Sequence, residues 1–235
     1  MNKLPLLIVT ASLTNSLFAA DSTPKDEIIA AAKKLGDAAS YSWRAITVVP
    51  EGSRFRPGPT EGKIEKDGFT YLSVTMGDNI THAAMKGDKA AISNPEGGWQ
   101  SVADLEKSEG ADRFRAMMMR SFKAPAGQAA DIAAAVKEFT KDGDAISGEL
   151  TEGGAKTLLT LRPRAGGDAP TVSGAKGSAK FWLKDGSLSK YESKVSGKIS
   201  FNGNERDVDR TTTVEITDVG TTKVEVPEEA KKKLP

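Results

Sequence analysis

Apolar and polar positions alternate through the last third of the chain, from Phe181 to Leu234, in runs interrupted by Asp185-Gly186, Asn202-Gly203 and Val219-Gly220. A period of two marks strands with one wet and one dry face, and the glycine-containing pairs mark tight turns. The segment therefore predicts long antiparallel strands, with Tyr191, Val195, Ile199 and Phe201 on a dry face and Val214 and Ile216 opposing them. A sheet with one dry face must cover it, with helices of its own chain, a partner or a greasy ligand. The same alternation occurs earlier, over Tyr41 to Val49, Thr60 to Glu65, Phe69 to Met76, Ile80 to Met85 and Lys89 to Ser93. Asp67-Gly68, Gly77-Asp78-Asn79 and Gly87-Asp88 separate these runs as hairpin turns, giving an antiparallel meander.

Helical spacing appears in three places. Residues 24–36 carry Ile28, Ile29, Ala32 and Leu35 on one face, with Ser22 or Thr23 as N-cap, Pro24 at the first position and Gly36 as the stop. From Val102 to Phe139 the chain turns Ala-, Met- and charge-rich. One stripe there holds Phe114, Met117, Met118 and Phe122; after Pro125 a second holds Ala129, Ile132, Ala133, Val136 and Phe139. Pro227 to Leu234 reads as a short helical tail. Strands are expected again over Asp144 to Leu150 and Ala155 to Leu161, and a polar Pro/Gly-rich loop over residues 162–177. Helix, strands, helices, then strands is the order of an α+β domain, with helices packed on one face of a large antiparallel sheet.

The N-terminus changes the picture of where this domain works. Met1-Asn2-Lys3, the apolar run Leu4 to Leu17 and Phe18-Ala19-Ala20 form a basic start, a short hydrophobic region and a small-residue exit. That predicts a signal peptide over residues 1–20, cleaved after Ala19 or Ala20, and a periplasmic or secreted single domain over 21–235. The apolar run is too short for a membrane span, which needs about 20 apolar residues. The sequence has no Cys, so no lipid-anchoring thiol follows the signal, and thiolate catalysis and Cys-based metal sites are excluded. Lys and Arg number 33 against 32 Asp and Glu, and no basic stripe argues for nucleic acid. A soluble monomer is expected.

Candidate chemistry is sparse. His82 is the one histidine and lies in a short strand, where it reads as a strand-face residue. No Gly-x-Ser-x-Gly, His-Glu-x-x-His or phosphate-binding glycine loop occurs. Asp142-Gly143-Asp144 lacks the fuller calcium-loop spacing and reads as a turn, and Lys231-Lys232-Lys233 as a solvated helix end. No enzyme activity, cofactor or metal is expected. Two features stand out. The aromatics Trp43, Tyr71, Trp99, Trp182 and Tyr191 all lie in or beside strands, either as ordinary packing or as a cavity lining. Met117, Met118 and Met119 between Phe114 and Phe122 either pack the helix on its own sheet or line a pocket for variable acyl chains.

The chain also resembles the LolA/LolB/LppX-like superfamily of exported carriers. The resemblance rests on Tyr41-Ser42-Trp43 after the first helix, and on Lys86-Gly87 before the strand that leads to Gly97-Gly98-Trp99. It continues in Trp182-Leu183-Lys184-Asp185-Gly186 with Leu188, and in the ending Val224 to Ala230. It implies a large curved antiparallel sheet, an incomplete β-barrel, covered on its concave face by a few α-helices that enclose an apolar cavity. It further implies a non-enzymatic carrier whose partner is a lipid or acylated protein, with an envelope protein as a further partner. The cavity lining is then expected from Trp43, Tyr71, Trp99, Phe114, Met117, Met118, Phe122, Trp182 and Tyr191. The alternative on the same fold is a periplasmic protein-interaction or envelope-stress sensor module that binds no ligand.

Overall fold

Thr23 starts the first helix as the sequence predicts. Its side-chain hydroxyl accepts from the Asp26 backbone N–H, and the Asp26 carboxylate accepts from the Thr23 N–H in return, a capping box with Pro24 at the first helical position. The computed structural model describes residues 22–53, 56–94, 96–160, 170–201 and 203–234, with the backbone alone at Phe201. The predicted signal peptide and the first part of the predicted 162–177 loop lie outside the described residues.

Helix α1 (Pro24–Asp37) leads into a six-strand meander: β1 (Ser40–Val48), β2 (Pro57–Glu65), β3 (Thr70–Met76), β4 (Asn79–Lys86), β5 (Lys89–Ser93) and β6 (Trp99–Ser101). Helices α2 (Val102–Leu105), α3 (Ala111–Arg120) and α4 (Pro125–Ala134) follow, then β7 (Thr140–Asp142), β8 (Ala145–Glu149) and α5 (Glu152–Leu159). Three long strands, β9 (Thr171–Lys184), β10 (Ser187–Phe201) and β11 (Asn204–Thr217), and the short α6 (Glu228–Lys231) complete the chain. All described strands form one antiparallel sheet in the order β6-β5-β4-β3-β2-β1-β11-β10-β9-β8-β7. It is not closed into a barrel: β6 and β7 are its edges, each three residues long, too short to offer much unpaired backbone. The expected α+β class and helix-covered antiparallel sheet are therefore present.

The differences from expectation have local causes. Ala155 to Leu161 is expected as strand, but α5 occupies residues 152–159, because the Thr151 hydroxyl accepts from the Gly154 N–H and caps a helix. A short apolar run such as Leu158-Leu159 fits either period. Helix α4 ends at Ala134, so Val136 and Phe139 lie past it, and Val136 forms an isolated bridge with Leu150. Residues 171–177 are strand rather than loop, since β9 begins at Thr171 and pairs with β10 through a bulge near Gly174. In α1 the buried face is Ile28, Ala31, Ala32 and Leu35, while Ile29 is 40% exposed.

Helices α1, α4 and α5 cover one face of β9 and β10, here called the inner face. Tyr191 opposes both Val214 and Phe181, and Val195 and Ile199 are buried on the same side, as the alternation predicts. Phe181 lies between Tyr191 and Phe139, with ring centroids 6.3 Å from each. The Tyr191 hydroxyl donates to Gln128 Oε1 of α4 at 3.0 Å, so its polar end is satisfied inside the core.

Candidate ligand-binding face

Strand register assigns every side chain to a face. From Trp43, which opposes Gly62 and Ile216, the inner face continues through Leu72 on β3, Ala83 on β4 and Ile92 on β5. Trp43 is buried at its centre. Its indole lies flat over Gly62, stacks on Phe122 with centroids 6.2 Å apart and meets Tyr41 at 5.8 Å. Of the nine expected lining residues, Trp43, Phe122 and Tyr191 belong to this inner core.

Tyr71, Trp99 and Trp182 do not. Tyr71 alternates with Leu72 and so points to the opposite, outer face, where it stacks on His82 at 5.6 Å and meets Trp99 at 6.4 Å. The C-terminal segment covers that cluster: Val226 and Ala230 are buried against Ala84, with Phe69, Tyr71, Trp99, Val224 and Leu234 packed around them. His82 belongs to this outer packing, with its Nδ1 buried and unbonded among the described residues. Trp182 lies on the outer face of β9 beneath two ammonium groups, Lys180 Nζ and Lys190 Nζ, each 5.1 Å from its ring. These three aromatics cannot line one space with Trp43, because a whole sheet separates them. A polar recess of about 440 Å³ on the outer face, lined by Ser173, Lys176, Ser196, Lys198, Asp207 and Asp209 among others, is likewise remote from the apolar side.

Helix α3 divides its stripe differently from the prediction. Ala116 is its buried residue, and Met119 and Phe122 are the side chains packed on the core. Arginines hold the helix in place. Arg115 donates to the Ser93 carbonyl at 2.6 Å; Arg120 donates to Glu106 Oε1 at 2.8 Å and to the Asp88 carbonyl at 2.5 Å. Met117 and Met118 remain half-buried and Phe114 is 49% exposed. The inner face of β3 is similarly incomplete, with Val74 half-buried and Met76 50% exposed. The sheet thus has two regimes. Helices α1, α4 and α5 fill the inner face of β9 and β10, whereas near the Met76 end of β3 apolar side chains stay partly uncovered.

The solved structures to which the chain is similar include the following two. Lipoprotein LppX of Mycobacterium tuberculosis aligns over 86% of this chain and 97% of its own, at 12% identity and a TM-score of 0.47. LprF of Mycobacterium bovis aligns over 88% of this chain and 96% of its own, at 11% identity and a TM-score of 0.47. No family model and no curated protein sequence matches the chain.

Sequence reading missed two functional candidates, Arg206 and Arg210. Arg210 opposes Val195 on the inner face of β11, and Arg206 opposes Ile199 four residues nearer the hairpin turn. The signal was present in the alternation, because both arginines share the parity of Val208, Val214 and Ile216.

The interior also sets a pH dependence. Burial pushes the Tyr41 phenol up to about 12 despite a hydrogen bond to the Ala126 backbone, and burial followed by the nearby Tyr41 pushes Tyr191 up further. Each folded value lies above the unfolded tyrosine value of about 10. The corresponding stability is therefore complete below about pH 10 and is lost as pH rises through about 12. Thermal melts across this range should fall together with ultraviolet-detected phenol ionisation; a melting temperature flat beyond pH 11 would contradict the buried placement of Tyr41.

Proposed function

We propose that the protein is an extracytoplasmic, non-enzymatic carrier that holds a lipid or acyl group against the inner face of its sheet. One observation carries the reading: apolar side chains stay open both at the end of β3, where Met76 is 50% exposed and Val74 half-buried, and on α3, where Phe114 is 49% exposed and Met117 and Met118 are half-buried. Large apolar side chains left open to solvent on the sheet and on the helix above it fit a binding surface, and methionine adapts to irregular apolar shapes. Each methylene removed from water contributes about 0.8 kcal/mol, so a long chain needs few polar contacts. The signal-peptide pattern of residues 1–20 supports an exported setting.

The test uses a fluorescent long-chain acyl probe and the variant Met118→Asp. Met118 is half-buried and is not part of the core cluster, so the variant should keep its melting temperature. Probe affinity should fall at least tenfold, as expected for a carboxylate placed in an apolar contact at a cost above about 1.4 kcal/mol. Undiminished probe uptake by a folded Met118→Asp protein would sink the reading. Native mass spectrometry of the protein from its host should show a co-purifying lipid.

A further inference from the structure

Charge is almost absent from the inner face. Following the register from β6 to β7, the inward positions are apolar, Gly, Ser, Thr, Asn or Gln, apart from Lys141 on β7 and Arg206 and Arg210 on β11. Lys141 is accounted for, since its Nζ pairs with Glu27 of α1 at 2.8 Å. Arg210 has no such partner. Its guanidinium donates to the Leu158 carbonyl near the end of α5, and among the described residues no carboxylate comes within ion-pair reach. The nearby acids are committed or turned away. Glu152, the acid of α5, pairs with Lys156 at 2.7 Å, and Asp207 pairs with Lys198 on the outer face.

A guanidinium presents five donors, and one carbonyl satisfies one of them. The helix end adds only about half an elementary charge. Burial first, and the neighbouring Arg206 second, hold the Arg210 guanidinium below its ordinary range, so the site as it stands disfavours its own cation. An oxyanion would relieve both effects at once, and arginine matches carboxylate and phosphate geometry bidentately.

The position is suited to a ligand. Strand β1 ends at Val48 opposite Thr211, so β11 runs on past it and Arg210 has no strand beside it on that edge. The half-exposed Met76 lies three strands away, about 14 Å along the sheet at about 4.8 Å per strand, a distance that a long acyl chain spans.

We infer that Arg210, with Arg206 beyond it, receives the acidic headgroup of the carried amphiphile, a carboxylate or phosphate whose chain lies on the open apolar region near Met76. This rests on the carrier reading and adds the headgroup class to it.

Binding of a chain-matched fatty acid, lysophosphatidate and monoacylglycerol should be compared on the full chain, Arg210→Gln and Arg206→Gln. Charge-assisted hydrogen bonds contribute about 1.5–3 kcal/mol, so the native protein should prefer an acidic probe by about ten- to a hundredfold. That preference should vanish in Arg210→Gln and weaken in Arg206→Gln, with monoacylglycerol affinity unchanged, and raised salt should reduce it in the native protein. The ranking of fatty acid against lysophosphatidate identifies which oxyanion the site favours. Equal affinity for all three probes overturns the headgroup assignment and leaves the carrier standing. Failure of every probe overturns both. If Arg210→Gln does not fold, the exposed Arg206→Gln and the salt dependence decide: an acid preference insensitive to both overturns the assignment.

Discussion

Replacing Phe181 with alanine will lower the stability of the protein by about 3–5 kcal/mol. Phe181 is fully buried and opposes Ile146 on β8 and Tyr191 on β10. Its ring meets Phe139 edge-on and stacks on Tyr191, each at 6.3 Å. Two aromatic contacts of about 0.5–1.5 kcal/mol each are lost along with the burial itself. The upper part of the range is expected because the site cannot collapse: both flanking strands are held by backbone ladders, and the covering helices are pinned by their own contacts to β10. Urea unfolding should show a lower midpoint with an unchanged slope. A loss below about 1 kcal/mol would mean that the aromatic core is not packed as described.

Gly62→Val will be destabilising by about 3 kcal/mol, against the direction that strand propensity alone gives. Valine is favoured over glycine in strands by up to about 1 kcal/mol. At residue 62, however, a Cβ would lie 2.1 Å from Cζ2 of Trp43 and 2.4 Å from Cη2. The indole cannot slide aside, since Phe122 stacks on it and Tyr41 flanks it. Overpacking therefore outweighs propensity. Near-ultraviolet circular dichroism should report a displaced Trp43, alongside the shifted unfolding midpoint. A Gly62→Val protein as stable as the native chain would show that the indole does not occupy that space.

The sheet was readable in the sequence because a period of two survives in every long strand and glycine marks each hairpin. Gly77, Gly87, Gly143 and Gly203 all take positive φ in turns between strands. What alternation cannot supply is which face becomes the inside when both carry aromatics. Tyr71 and Leu72 are adjacent, and both read as apolar; the covering of Tyr71 depends on Val226 and Ala230, more than 150 residues away in sequence. Trp182 falls on the outer face for a related reason, since only the register reveals two lysines beside it. The α3 stripe was half legible. Helical spacing placed Phe122 on the core but not Met119 in preference to Met118, because three consecutive methionines offer no polar contrast to fix the phase. Arg210 went unread because an arginine in a strand is usually counted with the wet face, although its parity was that of Val214.

The pairing of β1 with both β2 and β11 has a consequence for biogenesis. The first strand of the sheet borders on the last, from Ser42 against Thr217 to Val48 against Thr211. A chain delivered from its N-terminus could build the β1 to β6 meander early, yet β1 would keep one edge open until almost the whole polypeptide had emerged. The aromatic outer surface would stay bare longer still, until Val226 and Ala230 arrived. Such distant pairing makes for slow folding and a prolonged period of exposed edge and apolar surface. This protein is therefore expected to depend on protection by holding factors during synthesis and to refold poorly at high concentration, even though its finished sheet ends in edges too short to recruit other strands.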